Sequence, residues 1–198
     1  LLREANKKKT KELIMKNAIQ LFKQKGYQNV TVAEITTACG IAKGTFFNYF
    51  QKKEHILLYL ADSYMELLHK IVQRNQVGTM KEQVLHIFRE LFSIYFKQID
   101  ILHPAFEETI KSAIRSNGAS GNISKLREAI CYVLEQGMEK KAFRSKWKVA
   151  ECADVIVGIF LNVLICTPLE EEKLMKKLAQ QLEMVWGGFI HESTKEIS

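Results

Sequence analysis

The sequence predicts an all-α protein, and three observations carry that expectation. Only two prolines occur in 198 residues, Pro104 and Pro168. Apolar residues make up 47% of the chain and recur at the three- and four-residue spacing of a helix face. No stretch shows the apolar–polar alternation of a half-buried strand. The expected architecture is an N-terminal three-helix module with a helix-turn-helix, followed by a larger helical domain.

The first helix is expected over Lys8–Lys25, with Ile14, Ala18, Leu21 and Phe22 on one face, Thr10 near its cap and Gly26 closing it. Thr31 and Glu34 form a Thr-x-x-Glu capping box that opens a short helix to Cys39. Gly40 breaks it, and another short helix begins at Ala42. Helix, glycine turn and second helix make the helix-turn-helix pattern. Long helices follow over Lys53–Gln76, Met80–Asp100, Pro104–Arg115, Ser124–Lys140 and Lys148–Cys166. A last helix is announced by Thr167, Pro168 and Glu170 and runs to Phe189. The Ser116–Asn122 stretch, SNGASGN, reads as a loop.

Charge divides the chain after residue 53. Residues 1–53 carry 11 Lys and Arg against three Asp and Glu, while residues 54–198 carry 18 against 19. The basic excess of the first domain, 1–53, points to nucleic acid or an acidic surface as its partner, and leaves 54–198 as a near-neutral second domain. Cys39, Cys131, Cys152 and Cys166 show no metal-ligand spacing, so free thiols in a reducing cytoplasm are expected, without cofactor or metal. The apolar run Val155–Cys166 is shorter than the roughly 20 residues a bilayer span needs, so no membrane partner is expected. Scattered histidines, and the absence of a nucleophile elbow or phosphate loop, argue against an enzyme.

The chemistry concentrates in AKGTFFNYF, Ala42–Phe50. At about 100° per residue, Phe46, Phe50 and Tyr49 share one side of a helix. Gly44 and Asn48 centre the other, flanked by Thr45 and Phe47. The first side suits a core and the second a DNA major groove. Gly44 permits close backbone approach, Asn48 suits adenine, and Thr45 and Phe47 suit a thymine methyl. Lys43 and Lys53 suit phosphates, as does the Tyr49 hydroxyl, and Thr31 marks a helix start facing the same surface. The lysine-rich Asn6–Lys11 reads as a basic arm or as a solvated end.

Val30–Leu57, VTVAEITTACGIAKGTFFNYFQKKEHIL, with the preceding AIQLFKQKGY, resembles the DNA-binding region of TetR-type transcriptional regulators. The resemblance is specific over about residues 10–60. It implies an N-terminal DNA-binding domain and a helical domain that dimerises and binds a small ligand. It also implies that Lys43, Gly44, Thr45, Phe47, Asn48, Tyr49 and Lys53 face the operator. The chain departs from the family pattern at Ala42, where Ser is common, at Phe47, where Tyr is favoured, and at Asn48, where Tyr or His is commoner.

In the larger domain, Phe92, Tyr95, Phe96, His103, Phe106 and Tyr132 read either as core or as the lining of an effector cavity. Ile156, Phe160 and Val163, with Leu178, Leu182, Val185 and Trp186, make two apolar stripes suited to a four-helix homodimer interface. Two-fold symmetry would require a palindromic double-stranded operator, with recognition helices about 34 Å apart or a multiple of that. The expected function is a ligand-released dimeric repressor. The alternative is a DNA-bound protein that recruits a protein partner through its C-terminal domain.

Overall fold

The computed structural model describes residues 2–74, 77–116, 121–139, 143–144, 147–189 and 191–192. The all-α expectation is borne out. Nine α-helices occur among the described residues, and the only strands there are the two-residue β1 (Phe143–Arg144) and β2 (His191–Glu192), paired antiparallel.

The chain forms two compact units, Leu1–Tyr64 with Gln98–Ser120, and Met65–Lys97 with Gly121–Ser198. This division follows packing, whereas the boundary expected after residue 53 follows charge. The first unit holds α1 (Leu2–Lys25), a 3-10 turn (Tyr27–Asn29), α2 (Val32–Cys39), α3 (Lys43–Phe47), the start of α4 (Glu54–Arg74) and α6 (Ile99–Arg115). Its core is Ile14, Ala18, Phe22, Tyr27, Ile35, Phe46, Phe50, Ile56 and Leu57, with Ile101 and Ala105 from α6. Phe22 and Tyr27 meet edge to face at 5.1 Å, which turns the chain back onto α1 after Gly26.

The second unit holds the rest of α4, α5 (Met80–Lys97), α7 (Gly121–Glu139), α8 (Val149–Cys166) and α9 (Glu171–Phe189). Phe160 of α8 stacks on Phe88 at 4.7 Å and meets Phe92 at 5.4 Å, so α5 and α8 share an aromatic core. By length and composition α8 is apolar enough to cross a membrane, with mean hydropathy 2.1. Its Cys152, Ala153, Ile156, Val157, Phe160, Val163 and Leu164 are buried on one face, while Glu151, Asp154, Val155, Gly158, Asn162 and Ile165 are exposed on the rest.

Several boundaries differ from expectation. Helix α1 starts at Leu2, so Asn6–Lys11 is helical and Thr10 is not a cap. The Thr10 hydroxyl instead donates to the Asn6 carbonyl at 3.0 Å. The chain leaves helical geometry at Gln98 (φ −138°, ψ 40°), which separates α5 from α6 and places Pro104 inside α6. Pro104 lies near the start of α6, and the one backbone bond it forfeits would have gone to the carbonyl of exposed Asp100, which water can serve. Thr167 ends α8 rather than opening α9, and Pro168 precedes the helix. A capping box at Thr79 and Glu82 opens α5: the Thr79 N–H donates to Glu82 Oε2 at 2.7 Å. Among the cysteines Cys152 is buried, Cys39 and Cys131 are half-buried, and Cys166 is exposed. In the SNGASGN stretch residues 117–120 lie outside the described residues, and Gly121 and Asn122 open α7.

Candidate nucleic-acid interface

The site is built by α2 and α3. Thr31 caps α2: its hydroxyl accepts from Glu34 N at 3.2 Å, while its own N–H and hydroxyl donate to Glu34 Oε2 at 2.8 and 2.9 Å. Lys25 donates to the other carboxylate oxygen at 2.7 Å. The Lys25 ammonium first, then the Thr31 backbone and hydroxyl donors, hold the Glu34 carboxyl at about 2. Both Thr31 donors are thus committed to the cap, which leaves neither for a phosphate. Gly40 ends α2 in the left-handed conformation (φ 65°, ψ 33°), and its N–H donates to the carbonyls of Thr36 and Thr37. This turn sets the direction of α3.

Helix α3 is short and opens at Ala42 with no side-chain cap. The helical turn carries on past Phe47, where Tyr49 N and Phe50 N donate to the Phe46 carbonyl at 2.9 and 3.0 Å. Phe46 is fully buried and Phe50 is buried, whereas Phe47 is 50% exposed. The Phe47 ring meets Phe46 edge to face at 5.4 Å, so the core supports it from beneath while its outer half faces water. Lys43, Gly44 and Asn48 are exposed, and Thr45 and Tyr49 half-buried. Exposed Lys43, Gly44, Phe47 and Asn48 make up one edge over an aromatic base, with half-buried Thr45 and Tyr49 beside Asn48.

Lys53 is placed differently. Its ammonium donates to the carbonyls of Tyr27 and Val30 at 2.9 and 2.8 Å, and lies 4.3 Å from the centroid of the Tyr27 ring. It ties the start of α4 to the turn before α2. Two of its three donors are spent on backbone, so it orients the reading edge more directly than it meets a phosphate.

Sequence reasoning missed two contributors. Lys11 of α1 sits 3.6 Å from the Tyr59 centroid and 5.6 Å from that of Phe50, pinning α1 to α4 and to the end of the recognition turn. Burial, more than neighbouring charge, lowers the Lys11 pKa. Glu108 of α6 is buried and bonded to Lys111 at 2.8 Å. Burial first, then the carboxylates of Glu54 and Glu108, push the Tyr27 phenol upward. The lysine run before Leu13 was the available signal for the first contributor; the second depends on long-range packing that no local pattern carries.

The other expected residues fall elsewhere. Phe92 and Tyr95 are buried in the second unit, Phe96 is half-buried and Tyr132 is exposed, while His103 and Phe106 belong to the first unit. Phe92 packs on Phe160, a core contact. Ile156, Phe160, Val163, Leu178, Leu182 and Trp186 are buried within the chain, so they are its own core and leave little surface for a second copy. Only Val185 of that group is partly accessible. Part of the apolar surface left on α8 and α9 is an open groove of about 440 Å³ lined by Val155, Gly158, Ile159, Asn162, Met184 and Val185, with Gln181. No cluster of three or more His, Cys, Asp or Glu suited to a metal occurs among the described residues.

Residues 14–60 match the family model described as bacterial regulatory proteins, tetR family. Two curated Bacillus subtilis (strain 168) proteins, described as the uncharacterized HTH-type transcriptional regulators YuxN and YerO, are similar. The first is 28% identical over 132 residues, 60% of this chain and 45% of that protein. The second is 36% identical over 78 residues, 38% of this chain and 27% of that protein. The matched stretch therefore spans less than half the length of either relative. Among solved structures, Thermus thermophilus FadR, a TetR-family transcriptional repressor in complex with lauroyl-CoA, has a TM-score of 0.76 at 24% identity, covering 95% of this chain and 99% of that one. SmeT, the repressor of the Stenotrophomonas maltophilia multidrug efflux pump SmeDEF, has a TM-score of 0.65 at 17% identity, covering 91% and 90%. At these identities the solved structures speak for the fold.

Proposed function

We propose, on the match of residues 14–60 to the tetR family of bacterial regulatory proteins, that the chain is a cytoplasmic, sequence-specific DNA-binding repressor that acts as a homodimer and is released by a small molecule. In this reading residues 1–53 bind DNA, and residues 54–198 dimerise and hold the effector. The observation that carries it is the division of one aromatic run. Phe46 and Phe50 are buried, while Gly44, Phe47 and Asn48 stand exposed beside them in the strongly basic part of the chain. A half-exposed phenylalanine ring beside Gly44 and Asn48 suits contact with a thymine methyl.

The dimer is proposed to form through the exposed α8–α9 groove rather than the buried stripes. Met184 is 81% exposed and Val155 45%, and apolar groups of that size gain by meeting a second copy of the same face. An isologous pairing of this kind presents two recognition edges related by a two-fold axis, and so a palindromic operator. FadR is described with lauroyl-CoA and SmeT with triclosan. An effector that is largely apolar is the corresponding proposal here, bound so that it favours a spacing of the two edges that misses successive major grooves.

The experiment is selection of a duplex from a random-sequence pool by the full chain, followed by footprinting and by binding with and without acyl-CoAs of graded length. A palindromic site with half-sites one turn or a multiple apart, bound more weakly once an acyl-CoA is present, supports the whole reading. Retrieval of no preferred sequence refutes its first step. A preferred site bound equally with and without every acyl-CoA refutes that effector class alone.

A further inference from the structure

We infer that the first turns of α1 form a second wall of the DNA site, with Lys7 as its phosphate contact and Glu4 opposing it; this rests on the DNA-binding reading above. A groove of about 580 Å³ runs between two elements of the first unit. One wall is Thr45, Asn48 and Tyr49, from the reading edge. The other is Glu4, Asn6, Lys7 and Thr10, from α1. A duplex whose base edges reach Asn48 brings its sugar–phosphate backbone into the rest of this groove, since base contacts and backbone contacts are made together.

The chemistry of the α1 wall separates its residues. Thr10 spends its hydroxyl proton on the Asn6 carbonyl, so it shapes the groove without donating into it. Lys11 is committed to the Tyr59 and Phe50 rings, which anchors α1 at the inner end. Lys7 is exposed, lines the groove and makes no ion pair among the described residues, so its ammonium is a positive charge available to this groove. Lys9 lies two residues on, about 200° around the helix, and does not line the groove. Glu4, one turn before Lys7, puts a carboxylate where a phosphate would pass. The groove therefore accepts backbone at its Lys7 end and resists it at its Glu4 end, which limits how far the duplex is gripped beyond the base-reading contacts.

The test uses the full chain with K7Q, K9Q and E4Q, a duplex selected from a random pool by the wild type, and a scrambled duplex. Fluorescence anisotropy across a salt series is the readout, with thermal melts to confirm that each variant folds as the wild type does. K7Q is expected to reduce the slope of log K against log salt by about 0.9, and to weaken both duplexes alike. K9Q is expected to change the slope by less than half of that. E4Q is expected to tighten both duplexes about two- to fivefold. Equal slope changes for K7Q and K9Q would reduce the effect to net charge and overturn the inference. An unchanged slope in K7Q, with the wild type still preferring its selected duplex, would overturn this inference and leave the DNA reading standing. A wild type that prefers no duplex at any salt overturns both.

Discussion

Phe46→Ala and Phe47→Ala, adjacent substitutions of the same residue type, should have opposite consequences. Phe46 is fully buried between Phe47 and Phe50, with ring centroids at 5.4 and 5.9 Å. Emptying such a site costs about 3–5 kcal/mol, the transfer term plus the cavity. Phe47 is half exposed, so it gains roughly half of the 1.5–3 kcal/mol a fully buried phenylalanine gains. Its edge-to-face contact with Phe46 adds about 0.5–1.5 kcal/mol, which puts Phe47→Ala at about 1–3 kcal/mol. Urea melts should separate the two by about 2 kcal/mol. Anisotropy at a temperature where both variants are folded should show Phe47→Ala weakening the selected duplex at least tenfold. Equal destabilisation by the two would place Phe47 in the core. Unchanged duplex affinity in Phe47→Ala would remove its ring from the interface. Either result refutes the division of the aromatic run.

Other outcomes follow from single contacts. Lys53→Met removes two charge-assisted bonds to the Tyr27 and Val30 carbonyls, and should cost about 2–3 kcal/mol in a urea melt. Its salt slope for DNA should stay within about 0.3 of the wild type, whereas loss of a phosphate contact would change it by about 0.9. The Glu34 carboxyl, held at about 2 by Lys25 and Thr31 against an ordinary 4.5, should titrate near 2 by NMR. Because the folded value is the lower one, its contribution to stability is full above about 4.5 and lost as pH falls through about 2; a midpoint near 4.5 would deny the capping box in solution. Met184→Lys, in the α8–α9 groove, should turn a dimer into a monomer in light scattering at micromolar concentration without lowering the melting temperature of the monomer. A persistent dimer would move the interface elsewhere.

The fold was legible because apolar spacing, capping boxes and two glycines are local signals. Thr31 with Glu34, and Gly40 after Cys39, mark α2 within a residue of its observed limits. The split of Phe46 and Phe50 from Phe47 was also legible, since helical geometry alone assigns their directions. What was not legible depends on distant partners. Nothing beside Lys53 in sequence announces that its ammonium binds carbonyls 23 and 26 residues earlier. Ile156 and Leu182 read as surplus apolar surface because a stripe does not say whether its partner is the same chain or a copy. Pro104 reads as a helix start, yet the break came at Gln98, whose backbone rather than whose side chain marks the end of α5.

Base reading by Asn48 is decided by the specificity ratio of Asn48→Ala, selected against scrambled duplex, at several salt concentrations. Asn48 is exposed on the reading edge, and a bidentate contact to one base carries about 1–3 kcal/mol of discrimination. If Asn48 reads a base, the ratio falls about 5- to 150-fold with the salt slope unchanged, since the phosphate contacts remain. An unchanged ratio, or equal weakening on both duplexes with a shallower slope, would contradict it: Asn48 would then not read a base.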